Sequence, residues 1–232
     1  MSLRLAVFAS GGGSNLQSLL DNLNGRTDAW VHIRLVVSDR SDAGALERAR
    51  RAQVQTTIIE VPGRTEAEIA SEMLEALDAH GIDVIALAGY LRLVPRLVVE
   101  RFRGRIVNIH PALLPSFGGK GMYGARVHRA VLESGSRVTG VTVHHVDERF
   151  DEGKPVAQWP VPVLHDDTVE SLASRVLAVE HILYPLALEL LGRELEGRPV
   201  TRSLHDGLHG PWFNWLESKP DARAMRRSLG LD

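Results

Sequence analysis

The stretch "IVNIHPALLPSF" (residues 106–117) sets Asn108 and His110 two positions apart, directly before Pro111. The residues from Arg105 to Ile109 read as a strand. Strand side chains alternate, so the amide and the imidazole point to one side of the sheet, one rung apart. Pro111 stops the ladder there. An amide donor beside an imidazole suits stabilisation of a developing oxyanion combined with proton transfer. Asn108 can donate to a carbonyl oxygen that turns negative, and His110 can donate to the same oxygen or carry a proton. A lone histidine would read as a satisfied core side chain; two polar groups on one face point to a site. Such a pair wants a carboxylate that orients the ring and sets its basicity. The candidates crowd the later loop "VDERFDEGKP": Asp147, Glu148, Asp151 and Glu152. Taken alone, that loop reads as a solvated acidic turn. There is no cysteine and no G-x-S-x-G elbow, so a covalent acyl-enzyme is disfavoured. Direct attack by a substrate amine or by water is the simpler chemistry.

A second group of candidates lies at the start of the chain. "ASGGGSNLQSLL" follows the first strand and opens the first helix, where backbone N–H groups and the helix dipole form an anion site. It approaches G-x-G-x-x-G, but Leu16 stands where the third glycine belongs. Asp39, at the end of the second strand, could serve as the ribose-binding acid of a dinucleotide enzyme. Ser14 and Asn15 instead suit one terminal phosphate. "GGKGMYG" (118–124) is not a Walker loop, because no Ser or Thr follows Lys120. His205 and His209 have i, i+4 spacing in a Gly-rich segment and read as a solvated loop, not a metal site. His144 and His145 alternate on a strand, so one of them at most faces a site. Glu180 sits among apolar neighbours in "RVLAVEHILYP", a costly position for an unpaired carboxylate.

The elements that must hold these residues follow a regular rhythm. Strands read at Leu3 to Ala9, Val31 to Val37, Thr56 to Glu60, Asp83 to Ala88 and the run ending at His110. Helices read from about Leu16, over Gly44 to Gln53, and over Thr65 to His80. That alternation predicts a doubly wound, mostly parallel sheet. A short helix near Ala125 to Leu132 follows, then an antiparallel pair, Val138 to Val146 with Val156 to Leu164. A long helix starts at Asp167 or Thr168, and Pro185 should kink or restart it before Leu191. The expected division is a catalytic domain over 1–192 and an extension of unknown role over 193–232, carrying Trp212 and Trp215. The 232 residues, 44% hydrophobic, suit one α/β domain. A net charge of −2 without basic runs draws the chain to neither nucleic acid nor a membrane surface. No apolar run approaches the roughly 20 residues of a membrane span. The expectation is a soluble cytoplasmic protein acting on small molecules.

Taken together, "FASGGGSNLQSLL", "LAGYLRLV", "NIHPALLPSF", "TGVTVHHVDERFDEGKPVAQWPVPV" and "VEHILYP" resemble, in order and spacing, the phosphoribosylglycinamide formyltransferases among the folate-dependent formyltransferases. The resemblance covers residues 3 to 192 and implies the Rossmann-like formyltransferase fold. It implies formyl transfer from 10-formyltetrahydrofolate, as co-substrate and without a metal, to the amine of 5-phosphoribosylglycinamide in purine biosynthesis. By the same resemblance Asn108, His110 and Asp151 match the catalytic trio. Gly11, Gly12, Gly13, Ser14 and Asn15 match the phosphate and ribose loop, and Glu180 the acid that meets the amine. Arg64, Leu91, Arg92, Leu93 and Val94 match the folate side, joined by Asn108 and the loop Asp147, Glu148, Arg149, Phe150 and Asp151. "GGKGMYGARVH" is longer than the family's short Pro-Gly-x-His stretch, and Val141 replaces a small hydroxyl or cysteine. Monomer and homodimer both stay open. The alternatives are a formyltetrahydrofolate deformylase and a dinucleotide-binding oxidoreductase. A methionyl-tRNA formyltransferase would need a nucleic-acid-binding domain for which 193–232 is too short.

Overall fold

The structure is a computed structural model that describes residues 2–198 and 222–231. Its seven strands are β1 (Leu3–Phe8), β2 (Val31–Ser38), β3 (Gln55–Ile58), β4 (Val84–Leu87), β5 (Ile106–His110), β6 (Val138–His145) and β7 (Pro155–Pro162). They are ordered β3-β2-β1-β4-β5-β6-β7 in one sheet. The described helices are α1 (Ser14–Leu19), α2 (Gly44–Arg51), α3 (Glu66–Ala79), α4 (Arg96–Arg101), α5 (Ala125–Glu133), α6 (Val169–Leu195) and α7 (Ala222–Ser228). The expected mostly parallel, doubly wound sheet with a C-terminal antiparallel pair and a long helix is what forms. Two compact units divide the chain, one made of residues 1–108 with 145–153, the other of 109–144 with 154–232.

In the first unit every strand pairing from β3 to β5 is parallel. The alternating residues Ala6 and Phe8, Leu35 and Val37, and Ile85 and Leu87 feed one core with Met73 and Leu77 of α3 and Val98 of α4. Residues of the opposite parity, Leu5, Val7, Val36 and Ala86, are equally buried. Helices must therefore cover both faces of the C-terminal halves of these strands, which read as apolar runs. Thr65 caps α3 through a reciprocal bond set with Glu68. The sequence pattern missed α4, whose six residues are too few to display a period, and it placed one ten-residue helix where α1 gives way to a π-type turn at Leu20–Asn24.

The second unit contains the antiparallel β6–β7 pair and the helices α5, α6 and α7. Thr168, not Asp167, caps α6, accepting from the Ser171 N–H. Asp167 instead accepts from Arg175 at 2.6 and 2.8 Å, from the Ser171 hydroxyl at 2.7 Å and from the Leu164 N–H at 2.8 Å. The expected restart at Pro185 is not seen: α6 runs through it as one 27-residue helix. Pro185 and its neighbours are buried, and tertiary packing outweighs the one helix bond a proline cannot donate. By length and composition alone α6 could cross a membrane, which corrects the expectation that no segment comes near that length. It is the core helix of its unit, with Leu183, Tyr184, Leu188 and Leu190 fully enclosed.

Residues 222–231 dock on the end of α6. Buried Glu189 receives Arg226 at 2.9 and 3.2 Å and Arg193 at 3.2 Å, and both arginines donate to the Leu231 carbonyl at 3.0 Å. Met225 and Leu231 are buried. Trp212 and Trp215 of the extension lie outside the described residues, as do His205 and His209.

Two outcomes follow from α6. Glu189→Ala removes the buried acceptor shared by two half-buried arginines and should cost about 1–2 kcal/mol in urea unfolding; an unchanged midpoint would mean the cluster contributes nothing. Burial would raise the Asp167 carboxyl, but Arg175, the Leu164 amide and Ser171 outweigh it and hold the group at about 2. A pKa depressed on folding adds stability above about pH 4 that is lost as the pH falls toward 2. Asp167→Asn should therefore lower stability at neutral pH and flatten the acid limb of the stability profile.

Candidate active site

The chain order reverses between β1 and β4, which makes the carboxyl ends of these two strands a topological switch point, where open α/β sheets bind ligands. The register aligns one rung across the unit: Thr57, Val37, Phe8, Leu87 and Asn108. The glycine loop after β1, Asp39 after β2, the segment 89–94 after β4 and Asn108 therefore all stand at one edge. Asn108 is half-buried there, and His110 follows on the same strand, buried to 3% exposure. Both residues belong to β5.

Two loops meet at the switch point. The Ser10 N–H donates to the Gly89 carbonyl at 3.1 Å, and the Ser10 hydroxyl accepts from the Leu91 N–H at 3.1 Å. Gly13 has a φ of 73°, and a Cβ there would sit 2.8 Å from the Ala45 Cα. The Ala45 N–H donates to the Gly11 carbonyl, and Arg48 donates to the Gly12 carbonyl at 2.7 Å. This loop needs its third glycine because α2 presses against it, a reason independent of any pyrophosphate. Leu16, in place of the remaining motif glycine, is buried in the core. Asp39 is likewise committed. Its side chain is 2% exposed and accepts from the Arg92 Nε at 3.0 Å, so it does not face outward toward a ribose. These three facts remove the grounds for a dinucleotide site.

The residues singled out for the folate side separate into groups. Leu91 and Leu93 are more than half exposed, while Val94 belongs to the core with α3 and α4. Arg64 turns onto α3, donating to Glu72 at 2.6 Å and to the Glu60 and Glu68 carbonyls. In the acidic loop the Arg149 N–H donates to Asp147 at 2.8 Å, and its guanidinium pairs with Glu152 at 2.7 Å. Glu148 lies 3.9 Å from Arg96, Phe150 is partly exposed, and Asp151 sits in the left-handed region with φ 57°. Such a backbone is tolerated by Asp and marks a held turn.

Within the second unit, His110 Nε2 lies 2.9 Å from the Phe117 carbonyl. A carbonyl only accepts, so Nε2 carries the proton and the tautomer is set. Phe117 has a left-handed φ of 57°, which turns the chain back so that its carbonyl reaches the ring. The intervening loop is pinned by Thr142 of β6. Its hydroxyl donates to the Ala112 carbonyl at 2.7 Å and accepts from the Leu114 N–H and the Gln158 amide, each at 3.0 Å. Gln158, the register partner of Thr142 on β7, also donates to the Leu114 carbonyl at 3.0 Å. Gly140 leaves room for Leu113; a Cβ there would come within 2.5 Å of that side chain. None of Gly140, Thr142 and Gln158 stands out in the sequence. Their roles show only when the register pairs Thr142 with Gln158.

Two further groups complete this unit. His128 of α5 is buried, with its pKa lowered first by burial and then by the charge of His110 nearby. Glu180 is buried on α6, and its charge, added to burial, pushes the Tyr184 phenol well up. Of the adjacent histidines, His144 is buried and His145 is half-exposed.

The formyl transferase family profile matches residues 3–188, and the chain belongs to that family. Within it, the chain is similar to phosphoribosylglycinamide formyltransferases. The chloroplastic protein of Arabidopsis thaliana is 44% identical over 84% of the chain, which spans 66% of that relative. The human trifunctional purine biosynthetic protein adenosine-3 is 38% identical over 81% of the chain, which spans 18% of it. Among solved structures, glycinamide ribonucleotide transformylase 1 from Symbiobacterium toebii superposes with a TM-score of 0.76 at 42% identity, over 83% of this chain and 89% of that one. Phosphoribosylglycinamide formyltransferase from Brucella melitensis gives 0.76 at 40% identity, over 83% and 96%.

Thr142→Val keeps the shape but leaves the Leu114 N–H and the Ala112 carbonyl without their partner. It should cost about 2 kcal/mol in denaturant unfolding. A loss below the error of that measurement would mean the loop is held by packing alone.

Proposed function

We propose that the protein transfers a formyl group to the amine of 5-phosphoribosylglycinamide, the acceptor in its relatives' names, from 10-formyltetrahydrofolate, the donor implied by the family resemblance. The observation that carries the reading is the edge at the β1–β4 switch point, where the glycine loop, the 89–94 segment and Asn108 leave from one rung. The amine attacks the formyl carbon, its nitrogen forms the new C–N bond, and the bond to N10 of the folate breaks with its electron pair kept by N10. The proton lost by the amine is passed on to N10. Asn108 and His110 meet the negative charge that builds on the formyl oxygen, and His110 acts as the acid. With Nε2–H held by the Phe117 carbonyl, His110 donates through the Nδ1–H of its protonated ring, and the charge of Asp151 favours that protonated form. Gly11, Gly12, Gly13, Ser14 and Asn15 receive the phosphoribosyl end, and Glu180 receives the amine.

The folate lies against Leu91, Arg92 and Leu93, with the loop from Asp147 to Asp151. In this reading Arg64 exchanges part of its hold on α3 for the folate, whereas Val94 acts only by supporting the segment from the core. The catalytic body is residues 1–192, and the setting is cytoplasmic purine biosynthesis. Hydrolysis of the same donor is the competing reaction, and supplying glycinamide ribonucleotide against water as acceptor separates the two.

Removing one oxyanion donor typically costs about 10²–10³ in kcat. Asn108→Ala and His110→Ala should therefore fold normally and lose most formyl transfer in a turnover assay, and retention of full turnover by both would overturn the assignment. Asp151→Asn should slow the reaction and displace its pH optimum; an unmoved profile would remove Asp151 from the mechanism.

A further inference from the structure

We infer that Asp39 is a positioning residue for the folate co-substrate, acting through Arg92. The inference rests on the proposed placement of folate against residues 91–93. Asp39 was a candidate for a dinucleotide ribose, and the proposed reaction leaves it without a task. Its geometry supplies one.

Asp39 ends β2 at the edge from which the 89–94 segment departs, and its side chain is 2% exposed. One carboxylate oxygen accepts from the Arg92 Nε at 3.0 Å. The other is buried with no hydrogen-bond partner among the described residues, and so is the Tyr90 hydroxyl. The Tyr90 ring packs edge-on against Phe8, with centroids 5.4 Å apart, and burial followed by the Asp39 charge pushes its phenol up. A buried carboxylate with one satisfied oxygen depends on the cation that hydrogen-bonds it. That dependence runs both ways. Arg92 is half exposed and donates to Asp39 through Nε, so Asp39 restrains the guanidinium at that one nitrogen.

Ser10 fastens the backbone of the same segment at Gly89 and Leu91. Ser10 sets where the segment lies, and Asp39 sets how its one arginine is aimed. An arginine held in its binding rotamer loses less freedom when a ligand arrives, so the effect belongs to binding and not to the chemical step. The carboxylate therefore acts at a distance from the reacting atoms.

The test is steady-state formyl transfer by the full chain, varying each substrate separately. Asp39→Ala should raise KM for 10-formyltetrahydrofolate about tenfold while kcat and KM for the acceptor stay within about twofold. Asp39→Asn, which keeps an acceptor oxygen, should recover part of that loss. In a double-mutant cycle, Asp39→Ala should add nothing to Arg92→Ala. Thermal unfolding gives a second readout: Arg92→Ala should lower Tm by stranding a buried charge, and adding Asp39→Asn should restore it. The inference is overturned if Asp39→Ala leaves the folate KM unchanged, if it alters both KM values and kcat alike, or if the two substitutions add fully. Wild-type protein that transfers no formyl group to glycinamide ribonucleotide would instead overturn the proposed function, while the Tm pair would still report on the Asp39–Arg92 bond.

Discussion

One hydrogen bond organises the end of β5: His110 Nε2–H donating to the Phe117 carbonyl at 2.9 Å. It fixes which nitrogen of a buried imidazole carries the proton, and it does so with a backbone group that cannot itself ionise. A side-chain acceptor would titrate or rotate; a carbonyl in a left-handed turn does neither. The cost is a strained residue at Phe117 and a loop whose polar backbone must be satisfied away from water. Thr142 answers the second requirement with every bond a hydroxyl can make, one donated and two accepted. Gln158 repeats the support from the neighbouring strand. The hairpin of β6 and β7 thus serves its unit as a clamp on the loop that follows His110.

In the other unit the constraint is register. Parallel pairing from β3 to β5 puts the last residues of several strands on one rung, and every loop that leaves this rung can address the same edge. Ser10 and Asp39 then tie the 89–92 segment to the ends of β1 and β2. Residues that read as surface loop in the sequence are held by bonds between elements that lie far apart along the chain. Such loops support a site because their backbone is fixed before any ligand arrives.

Much of this was legible in the sequence. The alternation of strand-like runs with helical spacing located the strands to within a residue or two, most plainly β4, which is buried on both faces and wholly apolar. Asn108 and His110 were readable because polar side chains at a strand end break such a run. Three things were not legible. Pro185 reads as a break, but burial around α6 overrides a single missing bond. Asp39 reads as a ribose acid from its position alone, and only the side chain of Arg92, 53 residues away, shows where its oxygen goes. Thr142 and Gln158 look like ordinary strand residues until the register pairs them. In each case the deciding contact is distant in sequence, which no local pattern records.

The Phe117 carbonyl holds the neutral His110 ring as one tautomer. Nitrogen-15 NMR of imidazole-labelled protein, with His110 assigned by substitution, reads this directly from the two ring shifts at a pH where the ring is neutral. The bond to the Phe117 carbonyl requires a protonated Nε2 and an unprotonated Nδ1. A ring protonated at Nδ1, or one averaging between the two forms as in free histidine, would contradict it.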